Sequence, residues 1–210
     1  MGRILLVRHG QASWGAADYD VLSPRGEEQA EVLGRALTDL APDVVVHGSM
    51  LRQRRTAEIA VAAAGWDLAP RLDERWNEMD HLAVLAAQPK DFDGEPDRQQ
   101  FQAWLEAATG RWTSGTHDHE YAESFPAFQQ RVAEGLAELA EADTAVVVTS
   151  GGPISSVTSD LLAAGLETYA RLAPVVVNTS LTTVVSGRRG FTLVAFNEHR
   201  HLAGDLLTYR

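Results

Sequence analysis

Cysteine is absent from the 210 residues. That removes disulfides, thiolate zinc sites and any cysteine nucleophile, and so excludes thiol-dependent phosphatases and thiol redox enzymes together. Long apolar runs are missing too: runs such as Ala145 to Val148 fall far short of the about 20 residues that a membrane helix needs. Positive charge is scarce, with 18 Lys and Arg against 29 Asp and Glu and a formal net charge of −11. A polyanion needs a broad basic face, so neither nucleic acid nor an anionic membrane surface is an expected partner. Met1-Gly2-Arg3 runs straight into a strand-like stretch without the apolar region and small-residue cleavage site of an export signal, which makes the cytoplasm the expected location. No P-loop or dinucleotide fingerprint occurs, and there is no internal repeat. A chain of this length with 45% hydrophobic and 22% charged residues is expected to form one domain over residues 1–210.

The few cations that are present are concentrated. Arg52, Arg54 and Arg55 stand within four residues, and Arg8 lies beside His9. A small anionic substrate therefore stays compatible with the acidic total.

Arg3 to Val7 (RILLV) reads as a strand buried on both faces of a parallel sheet, ending at Arg8-His9-Gly10. Ser23-Pro24 marks a helix start, Ser as N-cap and Pro at the first helical position, with Ala30, Leu33, Leu37 and Leu40 at helical spacing up to about Ala41-Pro42. A second apolar run, Val44 to Val46, leads into a helix that begins near Met50. Between about residues 70 and 124 the pattern breaks down, with Trp76, Phe92, Phe101, Trp104 and Trp112 scattered among polar residues; this reads as an insertion over the core. Ser124 caps a helix to about Glu141, Thr144 to Thr149 is a third buried strand, and Ser150-Gly151-Gly152-Pro153 turns into a helix from Ile154 to about Ala164. Leu181 to Ser186 and Phe191 to Phe196 form a hairpin across Gly187-Arg188-Arg189-Gly190. The alternation predicts an α/β fold: a three-layer αβα sandwich with a mostly parallel central sheet and a C-terminal antiparallel hairpin.

Three strand ends each deliver polar or cationic groups: Arg8-His9-Gly10, Ser49 to Arg55, and Ser150-Gly151-Gly152. In an open parallel sheet ligands sit beyond the carboxyl ends of the strands, so the three segments should meet in one crevice. Arginines at the start of a helix face the positive end of its dipole, which costs stability unless an anion lies between them. That conflict points to phosphate.

Leu5-Leu6-Val7-Arg8-His9-Gly10-Gln11, then Leu22-Ser23-Pro24-Arg25-Gly26-Glu27-Glu28-Gln29-Ala30, then Ser49-Met50-Leu51-Arg52-Gln53-Arg54-Arg55-Thr56-Ala57 resemble, in order, the segments of the histidine phosphatases and phosphoglycerate mutases. The resemblance covers the first sixty residues densely and returns near Val146 to Ile154. It implies that His9 attacks phosphorus and becomes a phosphohistidine, while Arg8 and Arg52 hold the phosphoryl oxygens. The chemistry agrees: neutral imidazole is nucleophilic near pH 7, guanidinium forks match phosphate oxygens, and phosphoryl transfer needs little beyond positioning and charge neutralisation. Neither a metal nor another cofactor is then required. The proton for the leaving alkoxide comes, in the family, from a carboxylic acid after the second strand-helix unit. Glu78, in an Asn-Glu-x-Asp-His setting that resembles a bacterial subgroup, is preferred over Glu74, whose setting resembles the mutases. One departure matters. The family's second histidine, in a His-Gly-Gly turn, is Ser150 here; losing a cation about 4 Å away removes up to about 4 kcal/mol, about a thousandfold in rate. Ser150 retains a hydroxyl and Gly151 an amide at a helix start that favours anions, so both are expected to bind the substrate phosphate. Arg54 and Arg55 read as surface residues.

The expected function is a phosphomonoester hydrolase acting on a small phosphorylated metabolite. Two alternatives stand beside it: a pseudoenzyme that binds a phosphorylated ligand, which keeping His9 argues against, and a mutase-type phosphotransferase. The family's mutases carry an Asn where this chain has Trp14-Gly15, which favours hydrolysis. The aromatic residues of the insertion are expected to form a rim that selects the leaving group, so a bulky or aromatic ester is expected. His117-x-His119 and His199-x-His201 lack the helical spacing of a metal site, and Asp91-Phe92-Asp93-Gly94 lacks the Glu of a calcium loop. The sequence leaves the oligomeric state open.

Overall fold

Strand β1 (Gly2–Arg8) carries side chains buried on both of its faces, and such a strand is stable only between two neighbours and two covering layers. The computed structural model describes residues 1–13 and 20–209, so Trp14-Gly15 lies outside the described residues. After β1 the chain runs through α1 (Pro24–Ala36), β2 (Val44–His47), α2 (Leu51–Ala64), β3 (Arg71–Leu72), α3 (His81–Ala86), α4 (Arg98–Thr113), α5 (Phe125–Glu138), β4 (Thr144–Thr149), α6 (Gly151–Leu161), α7 (Leu166–Leu172), β5 (Leu181–Gly187) and β6 (Gly190–Glu198). Among the described residues the strands form one six-stranded sheet in the order β3-β2-β4-β1-β5-β6. β3, β2, β4 and β1 are parallel, while β5 runs antiparallel to β1 and β6 antiparallel to β5. This is the predicted three-layer α/β sandwich with its C-terminal hairpin.

Alternation along the strands sorts the two cores. Leu5, Val7, Val45, Val146 and Val148 pack under α1 and α2 with Leu33, Ala57 and Ala60, whereas Ile4, Leu6, Val46, Ala145 and Val147 pack under α5 and α6 with Val132, Leu136, Ile154 and Val157. The second core extends into residues 70–124, where the sequence shows no clear period. α3 and α4 form there, and Trp76 and Trp112 are buried at its centre rather than at a rim. Trp112 meets Phe125, Phe128 and Tyr169 edge-on. Phe92 and Phe101 instead pack against Trp104 at the periphery of this core.

Most expected boundaries hold within a few residues, and the differences have local causes. α1 stops at Ala36, where the Thr38 hydroxyl donates to Arg35 O and closes the last turn. α5 ends at Glu138 rather than Glu141. α6 starts at Gly151, three residues earlier than expected, because Pro153 in a first turn gives up no hydrogen bond. Ser23 caps α1 as predicted, its Oγ accepting from Gly26 N at 3.0 Å and donating to Gln11 Oε1 at 3.0 Å. Ser23→Ala should therefore cost about 1 kcal/mol and lower the Tm by about 2–4 °C. Thermal denaturation checks this, and an unchanged Tm would show that the cap contributes nothing.

Candidate active site

The carboxyl ends of β1, β4 and β2 lie side by side, so the residues that follow them share one end of the sheet. Arg8 pairs with Thr149 in register, and His9 N donates to Thr149 O at 2.8 Å, which sets His9 next to Ser150. Gly10 can follow only because it lacks a side chain: a Cβ there would come 2.4 Å from Gly26 O in the first turn of α1. Gly10 N donates instead to Thr56 Oγ1 at 2.9 Å, and the Thr56 hydroxyl donates to Arg52 O. The tight Arg-His-Gly turn is thus clamped between α1 and α2.

His9 is 4% exposed. Its Nδ1 lies 2.7 Å from Gly10 O, and because a carbonyl only accepts, Nδ1 carries the proton. Nε2 is then an acceptor, and Arg52 Nε donates to it at 3.1 Å. Burial, followed by the charges of Arg52 and Arg8, holds the imidazole well below its ordinary pKa and keeps it neutral. Arg52 also pairs through Nη1 with Asp20 Oδ1 at 2.5 Å, while Asp20 Oδ2 accepts from Leu51 N at 2.8 Å. Met50, the N-cap of α2, offers no side-chain acceptor, so Asp20 supplies the anion that arginines at a helix start require. Sequence reasoning missed Asp20, which is 32 residues from Arg52.

Arg8 reaches across to the C-terminal segment. Its Nη1 donates to the main-chain carbonyls of Val176 and Tyr209. That segment is tied to the same strand end by Asn178, whose Nδ2 donates to His9 O at 3.0 Å and whose Oδ1 accepts from the Thr208 hydroxyl. Asn178 was likewise not singled out from the sequence.

Glu78 comes from the segment after β3 and reaches the start of α6, where Gly152 N donates to its Oε2 at 2.9 Å. A Cβ on Gly152 would sit 1.9 Å from Glu78 Oε1, so glycine here makes room for the carboxylate. The segment is fixed from α5 by Arg131, which donates to the carbonyls of Arg75 and Asn77, and to the turn after β2 by its own Asn77, which exchanges hydrogen bonds with Ser49. Glu74, the other candidate acid, has an exposed side chain whose carboxylate makes no hydrogen bond or ion pair to this cluster among the described residues. Tyr169 lies beside Glu78; its burial, and then the carboxylate's charge, hold its phenol protonated well above the usual range. Ser150 is buried, with its Oγ accepting from Gln53 Nε2 at 2.8 Å, and Gly151 opens α6 next to it. Arg54 and Arg55 point outward and pair with Glu58 and Glu27. The structure thus gathers His9, Arg8, Arg52, Glu78, Ser150 and Gly151 at one end of the sheet.

Among the described residues no group of three or more His, Asp or Glu side chains is placed to hold a metal ion. His117 is bound to Glu120 and Arg111, and His199 to its neighbour Asn197 O.

The model of the histidine phosphatase superfamily (branch 1) matches residues 4–199. The chain belongs to that superfamily. As a histidine phosphatase it is similar to a wheat (Triticum aestivum) 2-carboxy-D-arabinitol-1-phosphatase, 40% identical over 80 residues that cover 35% of this chain and 16% of the relative. It is also similar to a 2,3-bisphosphoglycerate-dependent phosphoglycerate mutase of Thermobifida fusca, 36% identical over 115 residues, 50% of this chain and 46% of the relative. The chain thus spans less than half the length of these relatives. In fold, this superfamily member matches the crystal structure of a phosphoserine phosphatase mutant from Entamoeba histolytica in complex with phosphoserine. The TM-score is 0.72 at 22% identity, over 97% of this chain and 100% of that one.

Proposed function

We propose that this histidine phosphatase is a phosphomonoester hydrolase that works without a metal through a phosphohistidine on His9, acting on a small phosphorylated metabolite in the cytoplasm. The observation that carries this reading is the His9 ring, locked through Nδ1 on Gly10 O with its Nε2 lone pair facing Arg52. Nε2 attacks phosphorus as the bond to the ester oxygen breaks, and Glu78 gives its proton to that oxygen. Water then attacks the phosphohistidine, returns a proton to the Glu78 carboxylate and releases phosphate. Arg52 and Arg8 neutralise the phosphoryl oxygens, with the Gly151 amide and the Ser150 hydroxyl contributing from the start of α6.

Turnover of p-nitrophenyl phosphate and a panel of small phosphate esters in EDTA tests this, together with acid-labile, alkali-stable labelling of the protein during turnover. Phosphate binding with no turnover of any ester would establish a binding protein instead.

Asp20 occupies the anion position that the substrate must take, since its carboxylate bridges the Arg52 guanidinium and the first amide of α2. Asp20→Asn removes that competing charge, and the inhibition constant of inorganic phosphate should fall about three- to tenfold. Competitive inhibition assays measure it; weaker binding by the variant would mean that Asp20 aligns Arg52 for substrate rather than competing with it.

A further inference from the structure

The residue next to Arg52 faces the other half of the site. Gln53 is fully buried, and its amide nitrogen lies 3.3 Å from Trp76 O and 2.8 Å from Ser150 Oγ. A carbonyl can only accept, so the contact with Trp76 O fixes the orientation of the amide, and Gln53 donates to Ser150. The space for its Oε1 comes from Gly48, where a Cβ would approach to 2.1 Å. A serine hydroxyl has one proton; with Oγ accepting from Gln53, that proton is left to donate. Ser150 stands at the N-cap of α6, yet its side chain makes no capping bond, and no described residue accepts the hydroxyl proton. The register places it beside His9. Consecutive residues of α2 therefore serve the two strand ends: Arg52 the His9 imidazole, Gln53 the Ser150 hydroxyl.

We propose that Gln53 is a positioning residue that makes Ser150 a donor aimed at a phosphoryl oxygen, so that a neutral Gln53–Ser150 pair stands in for the second histidine of the family. The inference rests on the phosphohydrolase reading of the site. Gln53 touches no substrate and acts through Ser150. An amide and a hydroxyl do not titrate between pH 5 and 9, so the contribution of the pair to phosphate binding is the same throughout that range, where a histidine would lose its charge.

The test is a double-mutant cycle on the full chain, with inorganic phosphate as the probe and calorimetry as the readout, using Ser150→Ala with Gln53→Met and with Gln53→Leu; either Gln53 variant that folds closes the cycle. Ser150→Ala should weaken phosphate binding about tenfold, the Gln53 variant about as much, and the double variant no more than Ser150→Ala alone. A residue that merely supports the fold would weaken binding by the same factor in both backgrounds, and additive losses overturn the proposal. So do an unchanged phosphate affinity in Ser150→Ala or in the Gln53 variant, and an absence of phosphate binding by the native chain. Because binding is read directly, native protein that binds phosphate through this pair but hydrolyses no ester would overturn the hydrolase reading alone.

Discussion

His9→Ala is expected to lower kcat on p-nitrophenyl phosphate at least about ten-thousandfold and to abolish covalent labelling, since covalent catalysis loses its attacking atom. The chain has no cysteine to take over. Among the described residues the one buried histidine that resembles His9 is His47, at the end of β2, whose Nδ1 also lies 2.7 Å from the next carbonyl, Gly48 O. No described arginine donates to its Nε2, whereas Arg52 donates to His9 Nε2. Residual turnover by His9→Ala above about one part in a thousand would therefore implicate another nucleophile. The native protein adds a pH signature. In the proposed mechanism the reactive form of His9 is neutral, and burial with two nearby guanidinium groups keeps the ring neutral below the ordinary imidazole range. After correction for the second ionisation of the ester, kcat/KM should hold through pH 6.5 and fall only as the pH drops through the depressed pKa of the free enzyme. An acid limb centred at or above pH 6.5 would mean that His9 is not the group titrating. Stability carries the same sign. The unfolded chain takes up a proton at His9 below about pH 6.5 while the folded chain does not, so this histidine lowers stability progressively from there down to its folded pKa.

The site is half legible in the sequence, and the divide follows the kind of interaction. Arg8, His9 and Arg52 lie in runs whose order and spacing carry the signal, and Ser150-Gly151-Gly152 follows a plain buried strand. The fold class is legible for the same reason: strands buried on both faces and helices with one apolar stripe repeat their periods locally. The partners that set those side chains are not local. Asp20, Gln53 and Asn178 meet Arg52, Ser150 and His9 across 32, 97 and 169 residues. Gln53 sits between Arg52 and the surface-reading pair Arg54-Arg55 with nothing in the run to mark it for the interior, and only the folded helix shows it buried with Arg52 while Arg54 and Arg55 are exposed. Residues 70–124 fail differently. Among its described residues α4 buries only Ala108, Trp112 and Thr113, so its helical period is faint, while Trp76 and Trp112, scattered in the sequence, converge in the core. α7 is short and holds only one buried residue, Tyr169, and one buried position is no period.

Glu78→Gln should split substrates by leaving group. Alkyl phosphates, whose alkoxide must be protonated as it departs, should lose about a hundred- to thousandfold in kcat, while p-nitrophenyl phosphate, whose phenolate leaves without a proton, should lose about tenfold or less. The amide keeps one carbonyl oxygen for the Gly152 N–H, so geometry is largely retained and the loss reports the proton. Gly152→Ala approaches the same group from the other side. Its Cβ would fall 1.9 Å from Glu78 Oε1, and since the obstructing atom is the far end of a flexible side chain, the carboxylate moves rather than the helix. Alanine is also the better residue in the first turn of α6, so the Tm should hold or rise slightly while alkyl ester turnover falls. Steady-state kinetics on an alkyl and a nitrophenyl ester with both variants decides between the acids. Parallel losses on the two esters would show that Glu78 only anchors the start of α6, and would return Glu74 to consideration as the proton donor.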